Sequence, residues 1–336
     1  MKYRKHEAKE WAREVFRGVC NVILPTFTSD LRGLNERAIR HDVRRDIELG
    51  FWGALLVSEC GTTMAEMKRF MEIAVDEAKG RLHTVLHGSF DTLDETLEAC
   101  RHAEAVGADA LLLSYPPTFY PKTEREVYDY TRRVCDGTDL AAILFSAHHW
   151  NFSRLHPSDM SATLIAELAE LPNTVAVKCE GGRPAIGYVL EVQKLCGDKL
   201  LVSDPMEYNS PVWVELFGMP WMGTSCFEYF GGAVPEYFNL LHQGEWTKAM
   251  EIYWRIHPAR QARIADMQSY AGANFIHRFN WKYMGWLNGM NGGPLRLPVM
   301  KLNDGAMKRL RDGLKRSGIE PTPEADADFL AGRNPA

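Results

Sequence analysis

The chain has 336 residues, 46% hydrophobic and 25% charged, enough apolar matter for one large core. Its formal net charge of -5 is spread without long blocks of either sign, which excludes a dedicated nucleic-acid binder with a basic face for phosphates. The seven cysteines (Cys20, Cys60, Cys100, Cys135, Cys179, Cys196 and Cys226) contain no C-x-x-C pair, which argues against a disulfide framework or zinc ribbon and points to a reducing cytoplasm.

In chain order, residues 1–17 predict a short amphipathic helix, with Trp11, Val15 and Phe16 set among charges and no apolar core of a signal peptide behind them. No apolar run is long enough to span a bilayer, so no membrane association is expected. From 18 to 244, short apolar runs alternate with helical patterns. Strands are predicted at 19–25, 53–58, 82–88, 109–114, 140–145, 174–179, 199–203 and, less sharply, 220–225. Continuous apolar runs suit parallel strands buried on both faces. Between them, helical spacing recurs at 35–49, at 64–79 and after Thr92, where Leu93, Leu97, Cys100 and Val106 share a face and Gly107 marks the stop. From 245 to 318 only helices are predicted (245–266, 275–288 and 304–316), packed as a C-terminal extension. Residues 319–336 read as a polar, extended tail. Eight strand–helix units predict an α/β fold, a (β/α)8 TIM barrel with a C-terminal helical extension. The absence of G-x-G-x-x-G after the first strand and of a P-loop counts against nucleotide binding.

In such a barrel the working residues sit at the C-terminal ends of strands. Those positions hold Pro25 and Thr26; Ser58, Glu59 and Cys60; His87 and Asp91; Ser114 and Tyr115; Phe145, Ser146, His148 and His149; Lys178 and Glu180; Asp204 and Glu207; and Ser225. Lys178 stands out, because it interrupts the apolar run Thr174 to Cys179. Burial disfavours its ammonium form and leaves a nucleophilic amine able to form a Schiff base. The plainer reading is a buried ion pair to Glu180 or Asp204.

The residues also resemble a known family. Leu24-Pro25-Thr26-Phe27, the segment 80–89, the segment 102–113, the run from Pro116 to Pro121, Val175 to Lys178 and Gly292 to Pro298 occur in the order and spacing of the dihydrodipicolinate synthase/N-acetylneuraminate lyase family. These are class I aldolase-type barrels whose lysine forms an imine with a 2-oxo acid, and the resemblance covers residues 18–300. It implies a Schiff-base-forming lyase with Lys178 as nucleophile, a small-molecule substrate, no cofactor, and a homo-oligomer, either dimer or tetramer. The aromatic-rich segment 280–294 resembles the hydratase-aldolases that cleave aryl-substituted pyruvates.

The departures concern the rest of the site. Where the family carries Gly-Thr-Thr-Gly-Glu to hold the substrate carboxylate, this chain reads Ser58-Glu59-Cys60-Gly61-Thr62. A carboxylate at Glu59 repels a pyruvate carboxylate unless it turns away or is protonated. The family's proton-shuttling tyrosine at the end of strand five is Phe145. A second family tyrosine, after strand four, corresponds to Phe119, with Tyr120 alongside.

His148, His149 and Glu59 are therefore the candidate proton movers beside Lys178. Thr26, Ser58, Cys60, Phe145, Glu180, Asp204 and Ser225 are the candidate substrate-binding residues. Each has a plainer alternative: solvated surface for the histidines, a salt bridge for Glu59, packing for Cys60. Glu180 either accepts a proton or sets the lysine's charge. No H-x-H or H-E-x-x-H spacing supports a metal. Trp150, Phe152, Tyr208, Phe227, Tyr229 and Phe230 either suit a bulky substrate or fill the barrel top and oligomer contacts. Two rivals to the lyase remain: a divergent barrel with other lyase or hydrolase chemistry, and a binding or regulatory relative without turnover.

Overall fold

The computed structural model describes residues 2–116, 118–147, 160–180, 185–271, 277–297 and 300–336. Eight strands alternate with helices: β1 Gly18–Ile23, β2 Gly53–Leu56, β3 His83–Gly88, β4 Ala110–Leu113, β5 Ala141–Ser146, β6 Thr174–Cys179, β7 Leu201–Ser203 and β8 Trp221–Gly223. Their sheet order, β7-β6-β5-β4-β3-β2-β1-β8, is that of a parallel (β/α)8 barrel. Each predicted strand is present, and the ends move by no more than a few residues. The chain divides into two compact units, Met1–Arg17 with His83–Thr224, and Gly18–Leu82 with Ser225–Ala336.

In the first unit every residue of β4, β5 and β6 is buried, as their unbroken apolar runs require. The register pairs Phe145 with Lys178 and Lys178 with Ser203, so three strand ends lie level. The predicted amphipathic helix forms at Ala8–Val15. Trp11 stacks on Tyr3 at 4.2 Å and Phe16 packs against Trp221 at 5.3 Å. The Tyr3 hydroxyl donates to the Asp109 carbonyl (2.5 Å) and accepts from the Ala141 N–H (2.7 Å). This segment thereby covers the starts of β4 and β5 and leaves the finishing ends for chemistry. Gly107 closes helix Leu93–Val106 in the left-handed conformation, φ +87°, where its lack of a Cβ matters.

In the second unit β1 pairs β2 in parallel, and the C-terminal helices share the core. The helix predicted over 245–266 is two helices, Trp246–Arg255 and His257–Ala271. Pro258 is the reason: it has no N–H for an i−4 carbonyl and is tolerated only in a first turn. Helix Arg278–Leu287 is buried at every position but Phe279. The tail is not simply extended. It carries a short helical turn at Asp326–Leu330 and buries Phe329 against Phe279, Tyr283 and Trp286 at 5.1–5.7 Å. Arg311 holds Asp326, and the Ser29 N–H donates to the Ala336 carbonyl, strapping the tail to the rest of the unit. No described helix is long and apolar enough to cross a membrane.

Candidate active site

Side chains alternate faces along a strand, so Lys178 shares a face with Ala176 and its register partner Phe145, while Cys179 and Ser146 occupy the other. Lys178 is 5% exposed, and its Nζ lies 4.4 Å from the centre of the Phe145 ring. The same Nζ forms an ion pair with Glu180, itself buried. Glu180 is fixed from behind, because its N–H donates to the Ser146 carbonyl at 2.7 Å and extends the β5–β6 ladder past the strand. The arrangement places an amine, a carboxylate and an aromatic face together at the end of β6. The pairing with Glu180 is the plainer sequence reading of Lys178; it also supplies the amine with a proton acceptor in direct contact.

The other face is structural. The Ser146 hydroxyl bonds the Tyr188 hydroxyl at 2.9 Å, which donates to the Met160 carbonyl at 2.6 Å. That tyrosine, which sequence reasoning missed, sits on the side away from Lys178 and does not restore the hydroxyl lost at Phe145. Cys179 is fully buried, and desolvation pushes its thiol well above the ordinary range. Asp204 accepts from Asn209 Nδ2 (2.8 Å), Trp213 Nε1 (2.7 Å) and the Met206 N–H (2.8 Å), so its carboxylate organises the segment after β7. Burial pushes it up to about 6 against those hydrogen bonds, and Glu180 adds to the rise. His87 Nε2 bonds the Ser114 hydroxyl at 3.1 Å, joining the ends of β3 and β4. Phe119 stacks on Tyr115 (5.8 Å) and Tyr130 (5.1 Å), while Tyr120 is exposed. His148, His149, Trp150 and Phe152 lie outside the described residues.

The second unit holds the candidates from β1, β2 and the segment after β8. Lys282 Nζ donates to the Pro25 carbonyl and to Thr26 Oγ1, both at 2.7 Å. Its burial brings the amine down to about 8, with Asp42 and then Cys60 acting in the opposite direction. The turn after β2 is tight: the Ser58 carbonyl accepts from the Cys60 N–H (2.9 Å) and the Thr62 hydroxyl (3.1 Å). Gly61 follows at φ +73°, where an added Cβ would stand 2.5 Å from the Leu297 carbonyl. Arg296, from the motif Gly292 to Pro298, clamps this turn. It donates to the Leu31 carbonyl (2.8 Å) and both Glu66 oxygens (2.6 and 2.8 Å), and lies 4.1 Å over the Phe27 ring.

Glu59 is paired to Arg278. Cys60 is wholly buried with its thiol pushed up to about 12 by desolvation, which makes it packing rather than a second nucleophile. Ser225 Oγ accepts from Arg263 at 2.5 Å. Phe227, Tyr229 and Phe230 are core, as the plainer reading of these aromatics has it. The buried cations Lys282, Arg263 and Arg278 were missed by sequence reasoning. For Lys282 and Arg278 the available signal was the aromatic-rich helix Arg278–Leu287, which is buried together with its charges; Arg263 lies on His257–Ala271, whose mixed composition carries no such signal. Among the described residues no group of three or more His, Cys, Asp or Glu is placed to hold a metal.

The model of the dihydrodipicolinate synthetase family matches residues 15–317. A 4-hydroxy-tetrahydrodipicolinate synthase of Methanopyrus kandleri is 25% identical over 313 residues, covering 90% of this chain and 97% of that one. Among solved structures, dihydrodipicolinate synthase from Aquifex aeolicus aligns with a TM-score of 0.76 at 21% identity, over 91% of this chain and 100% of its own. N-acetylneuraminate lyase from Fusobacterium nucleatum aligns at 0.73 and 20%, over 90% and 99%. At such identities the two structures speak for the fold alone.

Proposed function

The chain belongs to the dihydrodipicolinate synthetase family, and from that premise we propose that it acts on a 2-oxo acid through an imine formed by Lys178. The protein is a lyase of the class I aldolase type. One observation carries the assignment of the residue: the buried Lys178 amine touches the Glu180 carboxylate and lies over the Phe145 ring. The amine must be neutral to attack, and Glu180 is placed to take its proton. Attack on the 2-oxo carbon gives a carbinolamine, which loses water to a protonated imine. That imine draws electrons from the neighbouring bond, so no organic cofactor is required. The Phe145 face favours a positive charge at this point, first on the ammonium and then on the iminium.

Phe145 moves no proton, which leaves the later transfers to His148 or His149, directly after β5 in the sequence. Glu59, held by Arg278, is better suited to balancing charge than to proton transfer. The altered residues 58–62 and the aromatic segment 280–294 favour an aryl-substituted or otherwise bulky acid over pyruvate. Exposed Ile186, Leu190, Val212 and Leu216 support a homo-oligomer, and seven buried cysteines, none of them in a disulfide, support a reducing, cytoplasmic setting.

The Lys178–Glu180 pair also favours a second reading, a neutralised lysine in a binding protein without turnover. Borohydride separates the two. With a panel of pyruvate, branched and aryl-substituted 2-oxo acids, reduction is expected to add one substrate's mass to the peptide containing Val177-Lys178-Cys179. Lys178→Ala should remove label and turnover together. Turnover that survives Lys178→Ala without any label would overturn the imine.

A further inference from the structure

Phe145 brings no hydroxyl to the face it shares with Lys178, and the next strand of the same unit supplies one. Leu112 of β4 pairs with His87 on β3 and with Ile143 on β5. Side chains two residues apart on a strand share a face. Ser114 and Phe145, two residues beyond Leu112 and Ile143, therefore lie side by side on the face that carries Lys178. His87 stands one layer lower on that face and reaches up to Ser114, its Nε2 3.1 Å from the hydroxyl oxygen. Both are buried, at 3% and 8% exposure.

The neighbouring hydroxyls are placed differently. Tyr115 points to the opposite face, where its hydroxyl bonds Thr131 Oγ1 of helix Glu124–Asp136 at 2.7 Å. Ser203 is level with Lys178 on β7, and its Oγ accepts from the Gly223 N–H at 3.3 Å. The lysine leans the other way, since its Nζ lies 4.4 Å from the centre of the Phe145 ring on β5. β4 and β6 are two strand spacings apart, about 10 Å. The amine and the Ser114 hydroxyl thus approach the Phe145 ring from its two sides. When Nε2 carries the imidazole hydrogen it donates to Ser114 Oγ, and the serine hydrogen is directed onward. Two donors in series polarise each other, and in a buried setting they stabilise an oxygen that gains negative charge.

We propose that Ser114 is a further catalytic residue, donating a hydrogen bond to the 2-oxo oxygen as Lys178 attacks, and that His87 is its positioning residue. The proposal rests on the imine reading of Lys178. The Nζ lone pair forms the C–N bond, the carbonyl π pair moves onto oxygen, and Ser114 holds that oxygen as its charge grows. No proton leaves the serine or the imidazole in this step. The oxygen then takes up the proton that Glu180 removed from the ammonium, which gives the carbinolamine.

The test traps the imine with borohydride in single turnovers of the full chain with phenylpyruvate. Ser114→Ala should slow labelling of Lys178 by about 10²-fold, while Ser114→Thr, which keeps a hydroxyl, should stay within severalfold of wild type. His87→Gln places an amide nitrogen where Nε2 stood and should hold most of the rate, whereas His87→Leu should lose about tenfold. Ser203→Ala should label as wild type does. A wild-type rate in Ser114→Ala, an equal loss in Ser203→Ala, or a loss in Ser114→Thr as deep as in Ser114→Ala at an unchanged thermal midpoint would overturn the assignment. A second arm does not depend on the imine. 3-Phenyllactate carries a hydroxyl in place of the 2-oxo oxygen, and calorimetry should show its affinity falling severalfold in Ser114→Ala. Unlabelled wild type beside that fall would sink the imine and keep the Ser114 contact; unlabelled wild type without it would sink both.

Discussion

Two lysines are buried to nearly the same degree, Lys178 at 5% and Lys282 at 4% exposure, and the protein uses them differently. Lys178 stands against an acid and over an aromatic ring. Lys282 is held by two neutral oxygens, the Pro25 carbonyl and Thr26 Oγ1, and bridges helix Arg278–Leu287 to the end of β1. Desolvation alone does not make a nucleophile. Lys282 has the depressed amine, down to about 8, yet among the described residues it has no acid in hydrogen-bond contact, and it donates to a backbone carbonyl and a hydroxyl. In the proposed imine reaction, Lys178 has in Glu180 an acceptor for the proton it would lose. The two lysines differ in partner and hardly in burial, and the proposed imine rests on that difference.

The largest effect should come from removing that acceptor. Glu180→Gln keeps size and hydrogen bonding but takes no proton, and imine formation in single-turnover experiments should slow on the order of 10²- to 10⁴-fold. Labelling at the wild-type rate would erase the distinction between the two lysines. Next come the histidines. If Glu180 handled every proton, His148→Ala and His149→Ala would be silent; one of them is expected to lower turnover by about 10²-fold with the thermal midpoint unchanged.

The smallest effect concerns Lys282. Borohydride should leave its peptide unlabelled with every acid tested, and a label there would break the comparison from the other side. Its titration also has a definite sign. The folded value is about 8 and the ordinary one 10.5, so between them the unfolded chain binds more protons. The penalty of the buried ammonium is fully present below pH 8 and is relieved as pH rises toward 10.5, by at most about 3 kcal/mol. Urea midpoints at pH 7 and pH 10 should show wild type gaining on Lys282→Met over that interval. Parallel shifts in the two proteins would mean that Lys282 is already neutral or is better solvated than its contacts indicate.

The fold was legible because parallel strands buried on both faces leave unbroken apolar runs, and a lysine interrupting one of them is visible without any structure. Helix stops such as Gly107 were legible for a similarly local reason, since only a left-handed residue closes that turn. The break at Pro258 is equally local and was readable, yet the continuous helical periodicity around it masked the turn. Phe145 was legible as a lost hydroxyl. That its ring still serves, as a face for the Lys178 charge, depended on the β5–β6 register.

The sequence by itself determined the strand order in the chain, the inward lysine on β6 and the altered turn after β2. The tertiary structure alone decided which charges meet. Glu59 and Arg278 are 219 positions apart, and Lys282 and Pro25 are 257 apart. Local periodicity reports the face on which a residue sits. It carries no information about which distant loop a long side chain reaches, because that is settled by how helices pack and which buried cations then need an acceptor. Glu59 could therefore be read as an obstacle to an acid substrate from sequence, and only the packing of helix Arg278–Leu287 turned it into the occupant of an arginine.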